Sequence, residues 1–289
     1  MDDQNRNLIL ASVLSFLVIV VWFVIFPPPD PNTTENVETV ESNAASKTDL
    51  PDVAFNSSVT ADEILTTADE VPRINISSDK LSGTISLKGG RIDDLSLLGY
   101  KVDMKKGSEN VTLLRPFGQK GAYYAVYGWA SLSGIEANKV PSPDTIWSVQ
   151  GNTTLTPRSP VKLIWKNGNG LTFTRLISVD EDYMFTIVQG VKNTSGTTVE
   201  LRPYGLIRRT GEPNDLKNFF ILHEGLVRMS DETLAEDSYK NMRDYEISER
   251  DRTHADRIEV TKNGWIGFTD HFWMTTLIPT PGTAFRSTA

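Results

Sequence analysis

Leu8 to Phe26 is a run of 19 residues with no charge and only two polar side chains, Ser12 and Ser15. No other stretch restricts the chain as strongly. As a helix rising 1.5 Å per residue the run spans roughly 28 Å, close to the ~30 Å hydrocarbon thickness of a bilayer. Both serines can return a hydrogen bond to the preceding turn, so neither opposes insertion. Trp22, Phe23 and Phe26 gather at one end, and aromatic rings favour a headgroup boundary. A buried soluble helix does not fit, because the run has no polar face. A cleaved signal peptide fits poorly. The run is longer than an h-region, and it closes on Val24-Ile25-Phe26-Pro27-Pro28 rather than on a small-x-small cleavage site. Residues 8–26 therefore read as a retained transmembrane helix. Arg6 and the amino terminus precede it, and the first base after it is Lys47. The positive-inside rule puts residues 1–7 in the cytoplasm and everything after about residue 27 across the membrane.

Charge divides the rest of the chain. Of the formal net charge of -8, residues 27–70 carry ten acids and one base, whereas residues 71–289 sum to +2. The acidic tract opens with Pro27-Pro28-Pro29-Asp30-Pro31 and continues through Asn, Thr, Glu, Ser and Asp. Such a tract has too little apolar surface to build a core and is expected to be a linker over 27–70. Thr60 to Leu65 carries a short helical pattern within it. No Lys/Arg stripe is present, which speaks against nucleic acid as a partner. The absence of cysteine excludes disulfides, thiolate metal ligands and a thiol nucleophile.

From Arg73 the apolar residues recur at every second position. Ile74 and Ile76 lead to Leu81, Gly83, Ile85 and Leu87, then Gly89-Gly90, then Ile92, Leu95, Leu97 and Leu98. This predicts a β-hairpin turned by the glycine pair. Val161 to Trp165 and Leu171 to Ile177 flank two Asn-Gly dipeptides, a strong hairpin signal. Asp180-Glu181-Asp182 predicts the next turn, Tyr183 to Val188 the next strand, and Asn193 to Gly196 a turn into Val199 to Arg202. The fold class expected for 71–289 is an all-β antiparallel sandwich. The charged stretch Asp237 to Arg257 is expected to be a loop or short helix with a solvated face. Gly264 to Phe268 begins another strand, and the aromatics Phe272 and Trp273 after it are expected in the core.

Chemistry is sparse. The phosphate-loop, dinucleotide, Gly-x-Ser-x-Gly and His-Glu-x-x-His spellings are all absent. His223-Glu224-Gly225 lacks a second histidine one turn later, and His254 and His271 stand far apart in sequence. Asp180-Glu181-Asp182 lacks the spacing of a calcium loop and is better read as a turn. The sequence assigns no catalytic residue, no cofactor-binding residue, no cofactor and no metal ligand.

Met1-Asp2-Asp3-Gln4-Asn5-Arg6-Asn7-Leu8 before a single apolar span, Gly89-Gly90-Arg91-Ile92, Thr172-Phe173-Thr174-Arg175 to Asp182-Tyr183, and Gly264-Trp265-Ile266 to Leu277-Ile278-Pro279 occur in this order. In that order and spacing the chain resembles the N-terminal half of bacterial members of the YidC/Oxa/Alb family of membrane protein insertases. The resemblance implies a periplasmic β-supersandwich of the galactose-mutarotase-like kind and a place in the inner membrane. It also implies that the chain is not an enzyme, and that its partners are the lipid bilayer, nascent inner-membrane proteins, the Sec translocon and the SecD/SecF accessory subunits. In the family, insertion is carried by later helices around a hydrophilic groove with an arginine. Residues 1–289 are expected to lack that groove and to hold a C-terminally incomplete sandwich. The alternative is a membrane-tethered periplasmic protein that binds or modifies carbohydrate, supported by fold analogy alone.

Overall fold

The computed structural model describes residues 71–213, 216, 222–249 and 251–289. The apolar run, the acidic linker and the Thr60–Leu65 helix lie outside the described residues.

Strands β1 (Arg73–Ser77), β2 (Leu81–Ser86) and β3 (Arg91–Lys101) form an antiparallel meander. Ile74, Ile76, Ile85, Leu95 and Leu97 point inward and are buried, as the period-two pattern requires. Gly89 and Gly90 turn the chain with φ of 72° and 60°. Strand β4 (Asn110–Leu114) pairs with the far part of β3, while β5 (Tyr123–Ser133) meets its near part at Ile92. After β6 (Ser148–Gln150), the two-residue β7 (Thr154–Leu155) runs parallel to β1.

The second predicted hairpin is present as β8 (Val161–Lys166) and β9 (Leu171–Val179). Its turn is held by Asn167, whose Oδ1 accepts from the amides of Asn169 at 2.8 Å and Leu171 at 3.1 Å. Gly168 and Gly170 supply the positive φ. Asp180 makes the following turn by accepting from the amides of Asp182 and Met184. Strand β10 (Phe185–Asn193) then completes a four-stranded sheet in the order β10-β9-β8-β6. Strand β11 (Glu200–Arg209) does not extend that sheet. It crosses to the first one and pairs along nearly all of β5. Local periodicity shows that a strand follows Asn193–Gly196; which sheet it joins is decided by long-range pairing.

The remaining chain gives β12 (Gly225–Ser230), β13 (Thr233–Ser238), helix α1 (Tyr239–Arg243), the two-residue strands β14 (Ile247–Ser248) and β15 (Thr253–His254), β16 (Arg257–Val260), β17 (Gly264–Asp270), β18 (Trp273–Leu277) and β19 (Phe285–Thr288). They form a third sheet, β13-β12-β17-β18, and two small ribbons. The expected core placement of the aromatics here needs correction. Trp273 packs against the core, but Phe272 is 77% exposed. It occupies the tight turn between β17 and β18, where no inward direction exists.

One apolar core draws on the first two sheets, with Ile74, Ile85 and Leu95 facing Leu163, Phe173 and Ile177. A cation sits inside it. Arg175 occupies an inward position of β9, between Phe173 and Ile177, and is fully buried. Its Nη1 donates to the carbonyls of Gly89 and Gly90 at 3.0 Å each, and its Nη2 donates to the carbonyl of Tyr127. The guanidinium lies 4.6 Å from the Trp147 ring centroid. Burial draws its pKa down to about 10, which leaves it charged at neutral pH. A cation is tolerated there because carbonyl dipoles and an aromatic face replace water.

Arg175→Met would strand three carbonyls at about 1–3 kcal/mol each. Urea unfolding followed by tryptophan fluorescence should show a stability loss on the order of several kcal/mol, with Arg175→Lys intermediate. An unchanged midpoint in the Met variant would count against this role.

Candidate interaction surface

A concave feature marks the outer face of the first sheet. Asn75 and Ser77 of β1, Ser82 and Thr84 of β2, and Asp94 and Ser96 of β3 line an open groove of about 570 Å³. Their direction follows from the pleat, because each alternates with a core residue. A second hollow of about 390 Å³ around Asn152 and Ser159 shares Thr154 with it. The groove is shaped by a bulge. Thr84 pairs with Asp94 and Ile85 with Ile92, so Asp93 is the extra residue. Gly83 lies so close to Asp94 that a Cβ there would strike the Asp94 carbonyl.

The bulge places a charged network at one end of the groove. The Asp93 carboxylate is buried and pairs with Arg73, with Arg91 Nε 3.9 Å away. Burial pushes the Asp93 carboxyl up, and the Arg73 guanidinium opposes that. Arg73 Nε donates to Thr84 Oγ1 at 2.7 Å, and Thr84 donates on to Asp94 at 2.7 Å. Arg91 lies 4.8 Å from the Phe117 ring centroid, and burial lowers its pKa. The groove thus offers hydroxyls, an amide and one carboxylate. Its lining holds no histidine and no aromatic ring. It has neither a second carboxylate for acid–base work nor a stacking face for a sugar.

The three histidines are dispersed. His223 Nε2 is hydrogen-bonded to the Leu226 carbonyl at 2.7 Å, His254 to the Tyr245 carbonyl, and His271 stands beside Phe272. Among the described residues no three His, Asp or Glu side chains are gathered to hold a metal.

The charged stretch 237–257 proves to be built rather than merely solvated. It holds α1 and the β14–β15 ribbon. Tyr239 donates to Asp270 at 2.6 Å and stacks on Phe268 with centroids 5.9 Å apart. Tyr245 donates to Asp237 at 2.8 Å. Burial, then the carboxylate partner, pushes both phenols well above their usual range. Arg228 pairs with Asp256, Arg257 with Asp251, and Arg243 with Glu212. Most of these partners are distant in sequence, so charge counting alone does not reveal them. The third sheet joins the first through the Arg209–Asp270 pair, with Arg209 4.0 Å from the Tyr123 ring centroid.

The family model of the YidC periplasmic domain matches residues 73–289, starting at the first residue of β1. The membrane protein insertase YidC of Roseobacter denitrificans is 49% identical over 294 aligned residues, which cover 100% of this chain and 48% of the relative. The YidC proteins of Dinoroseobacter shibae and Ruegeria pomeroyi are 48% and 46% identical over 100% of this chain. The chain belongs to the YidC family. It spans about half the length of the curated relatives it matches. The family resemblance noted from the Gly89-Gly90, Thr172–Tyr183 and Gly264–Pro279 segments is thereby established, and all three segments lie within the matched domain.

Within this YidC domain one turn is held by a single carboxylate. Asp231, at φ 53°, joins β12 to β13 and accepts from the amides of Thr261, Lys262 and Asn263 and from the Thr261 hydroxyl. These donors hold its pKa down at about 2. Its folded value is depressed below an unfolded value of about 3.9, so its stabilisation is complete above that pH and is lost as pH falls toward the folded value. The stability difference between the parent and Asp231→Asn should therefore be largest near neutrality and shrink as pH drops through that window. Urea midpoints measured across the acid range check this; a difference independent of pH would refute it.

Proposed function

We propose that this chain is the anchor and periplasmic part of a membrane protein insertase of the inner membrane. Residues 8–26 form a transmembrane helix with residues 1–7 in the cytoplasm, 27–70 form the linker, and 71–289 form the periplasmic domain. The observation that carries the reading is the family match beginning at Arg73, directly behind an apolar run and an acidic tract of the kind that tethers such a domain. The β-supersandwich arrangement expected from the resemblance is supported by the two sheets around a common core.

The activity proposed for the whole protein is transfer of polar segments of nascent inner-membrane proteins into and across the bilayer, alone or with the Sec translocon and its SecD/SecF subunits. The physical need is clear, because each unsatisfied polar group in hydrocarbon costs several kcal/mol. Residues 71–289 contribute surfaces rather than reactive groups. The groove of hydroxyls, an amide and Asp94, and the ordered 237–257 segment, are the surfaces offered to partners. A carbohydrate-modifying role has no support in the groove, whose lining supplies a single carboxylate.

Topology is the first test. Protease added to intact spheroplasts should cleave the chain beyond residue 70, and a tag at residue 1 should survive until lysis. A domain that stays protected in intact spheroplasts and becomes accessible only on lysis would reject the reading. Crosslinkers placed at Lys240 and at Thr84 in a full-length protein should then capture Sec subunits or nascent chains.

A further inference from the structure

The β3–β4 hairpin ends in an apolar tip that the fold does not use. Met104 is 102% exposed and Val102 69% exposed, at the turn beyond Lys101. Tyr100 at its base meets Trp273 edge-on with centroids 4.8 Å apart, which brings the β17–β18 turn against the hairpin. That turn displays Phe272 at φ 75°. A left-handed backbone is unfavourable for a bulky residue, a strain that glycine would avoid. An aromatic ring is thus held in a strained turn and aimed at solvent. Lys101, Lys105 and Lys106 surround the tip, against Asp103 and Glu109. Lys105 pairs with Asp103, and Lys101 donates to Asn110.

We propose that this tip is a membrane contact, with Val102, Met104 and Phe272 seated in the headgroup layer of the bilayer that anchors the chain; this rests on the anchor reading of residues 8–26. The shape favours lipid over a polypeptide. The hairpin closes through a Lys105–Ser108 turn, with Val102 paired to Glu109 and Met104 just before the turn; these exposed side chains form no groove to clamp a peptide, whereas an interface admits them to its acyl boundary. Lysines beside them can keep their ammonium groups among phosphates while their stems stay apolar. The contact is small, but tethering raises the effective concentration of the bilayer at the domain, so a weak contact suffices.

The tether's reach permits it. Arg73, where the linker joins, pairs with Ser86 at the end of the sheet opposite Lys101. At ~3.3 Å per residue, β3 separates those ends by about 33 Å. Residues 27–70 can extend to about 150 Å at most.

The chain has no cysteine, so single labels are unambiguous. Residues 1–289 carrying Met104→Cys with an environment-sensitive fluorophore would be reconstituted in mixed phosphatidylcholine and phosphatidylglycerol bilayers containing shallow or deep nitroxide lipids. A blue shift and loss of intensity with the shallow nitroxide are expected. Both should disappear in a Val102→Asp, Phe272→Asp background. Leu17→Cys, labelled the same way, reports the anchor and should be quenched by the deep nitroxide. Quenching at 17 without quenching at 104 overturns the tip proposal and leaves the anchor. Quenching at 104 without quenching at 17 rejects the anchor and keeps the tip. A 104 label shielded only after another membrane protein is added overturns the proposal in favour of a protein partner.

Discussion

The two main sheets are tied together by a guanidinium group. Arg175 reaches from β9 to three carbonyls of the opposite sheet, two in the Gly89–Gly90 turn and one on β5. Burying a lone cation is costly, so its partners must be fixed in place before it is admitted. The glycine pair fixes two of them. Both glycines hold positive φ, and a Cβ on Gly90 would collide with Arg175 Nη1. Turn, cation and core therefore form one unit, and a side chain at residue 90 would displace the guanidinium at residue 175. Trp147 covers the cation's remaining face.

A second irregularity governs the outer face. The extra residue at Asp93 breaks the register of β2 with β3 and turns a carboxylate toward Arg73 and Arg91. Beside it only glycine fits at residue 83, where a Cβ would strike the Asp94 carbonyl, and the polar groove lies next to this contact. This polar concavity is thus a by-product of strand geometry stabilised by buried charge. That origin explains why it presents dispersed hydroxyls rather than a converging acid and base.

Much of this was legible before any coordinates. The alternation of Ile74, Ile76, Leu81 and Ile85 and the Asn-Gly turn at 167–170 specify strands and hairpins because each obeys a local rule. The class of fold followed from them, whereas the family rested on the resemblance of the Gly89–Ile92, Thr172–Tyr183 and Gly264–Pro279 segments. Sheet membership was not legible, because β11 chooses β5 over β10 through pairings that run from Glu200 with Ser133 to Arg209 with Tyr123, far apart in sequence. Arg175 left a visible trace, a charge at an inward position of an otherwise apolar alternation, but nothing local names its carbonyl partners. Phe272 was misplaced because an aromatic next to a strand resembles a core residue unless the two-residue turn is seen. The ordered 237–257 segment hid for a related reason: its ties run to Arg228, Asp270 and Glu212.

The crossover of β11 bears on how such a chain assembles. Strand β5 emerges early, yet its outer edge has no partner until residues 200–209 arrive. For a polypeptide delivered amino end first, an eleven-residue edge rich in Tyr, Val, Ala and Trp waits unpaired while five further strands are delivered. Pairings so distant in sequence form slowly and leave strand edges exposed to wrong partners meanwhile. Completion of the sheet is consequently a late, all-at-once event, and the hazard of misassociation is concentrated in the interval before Arg209 clears the exit.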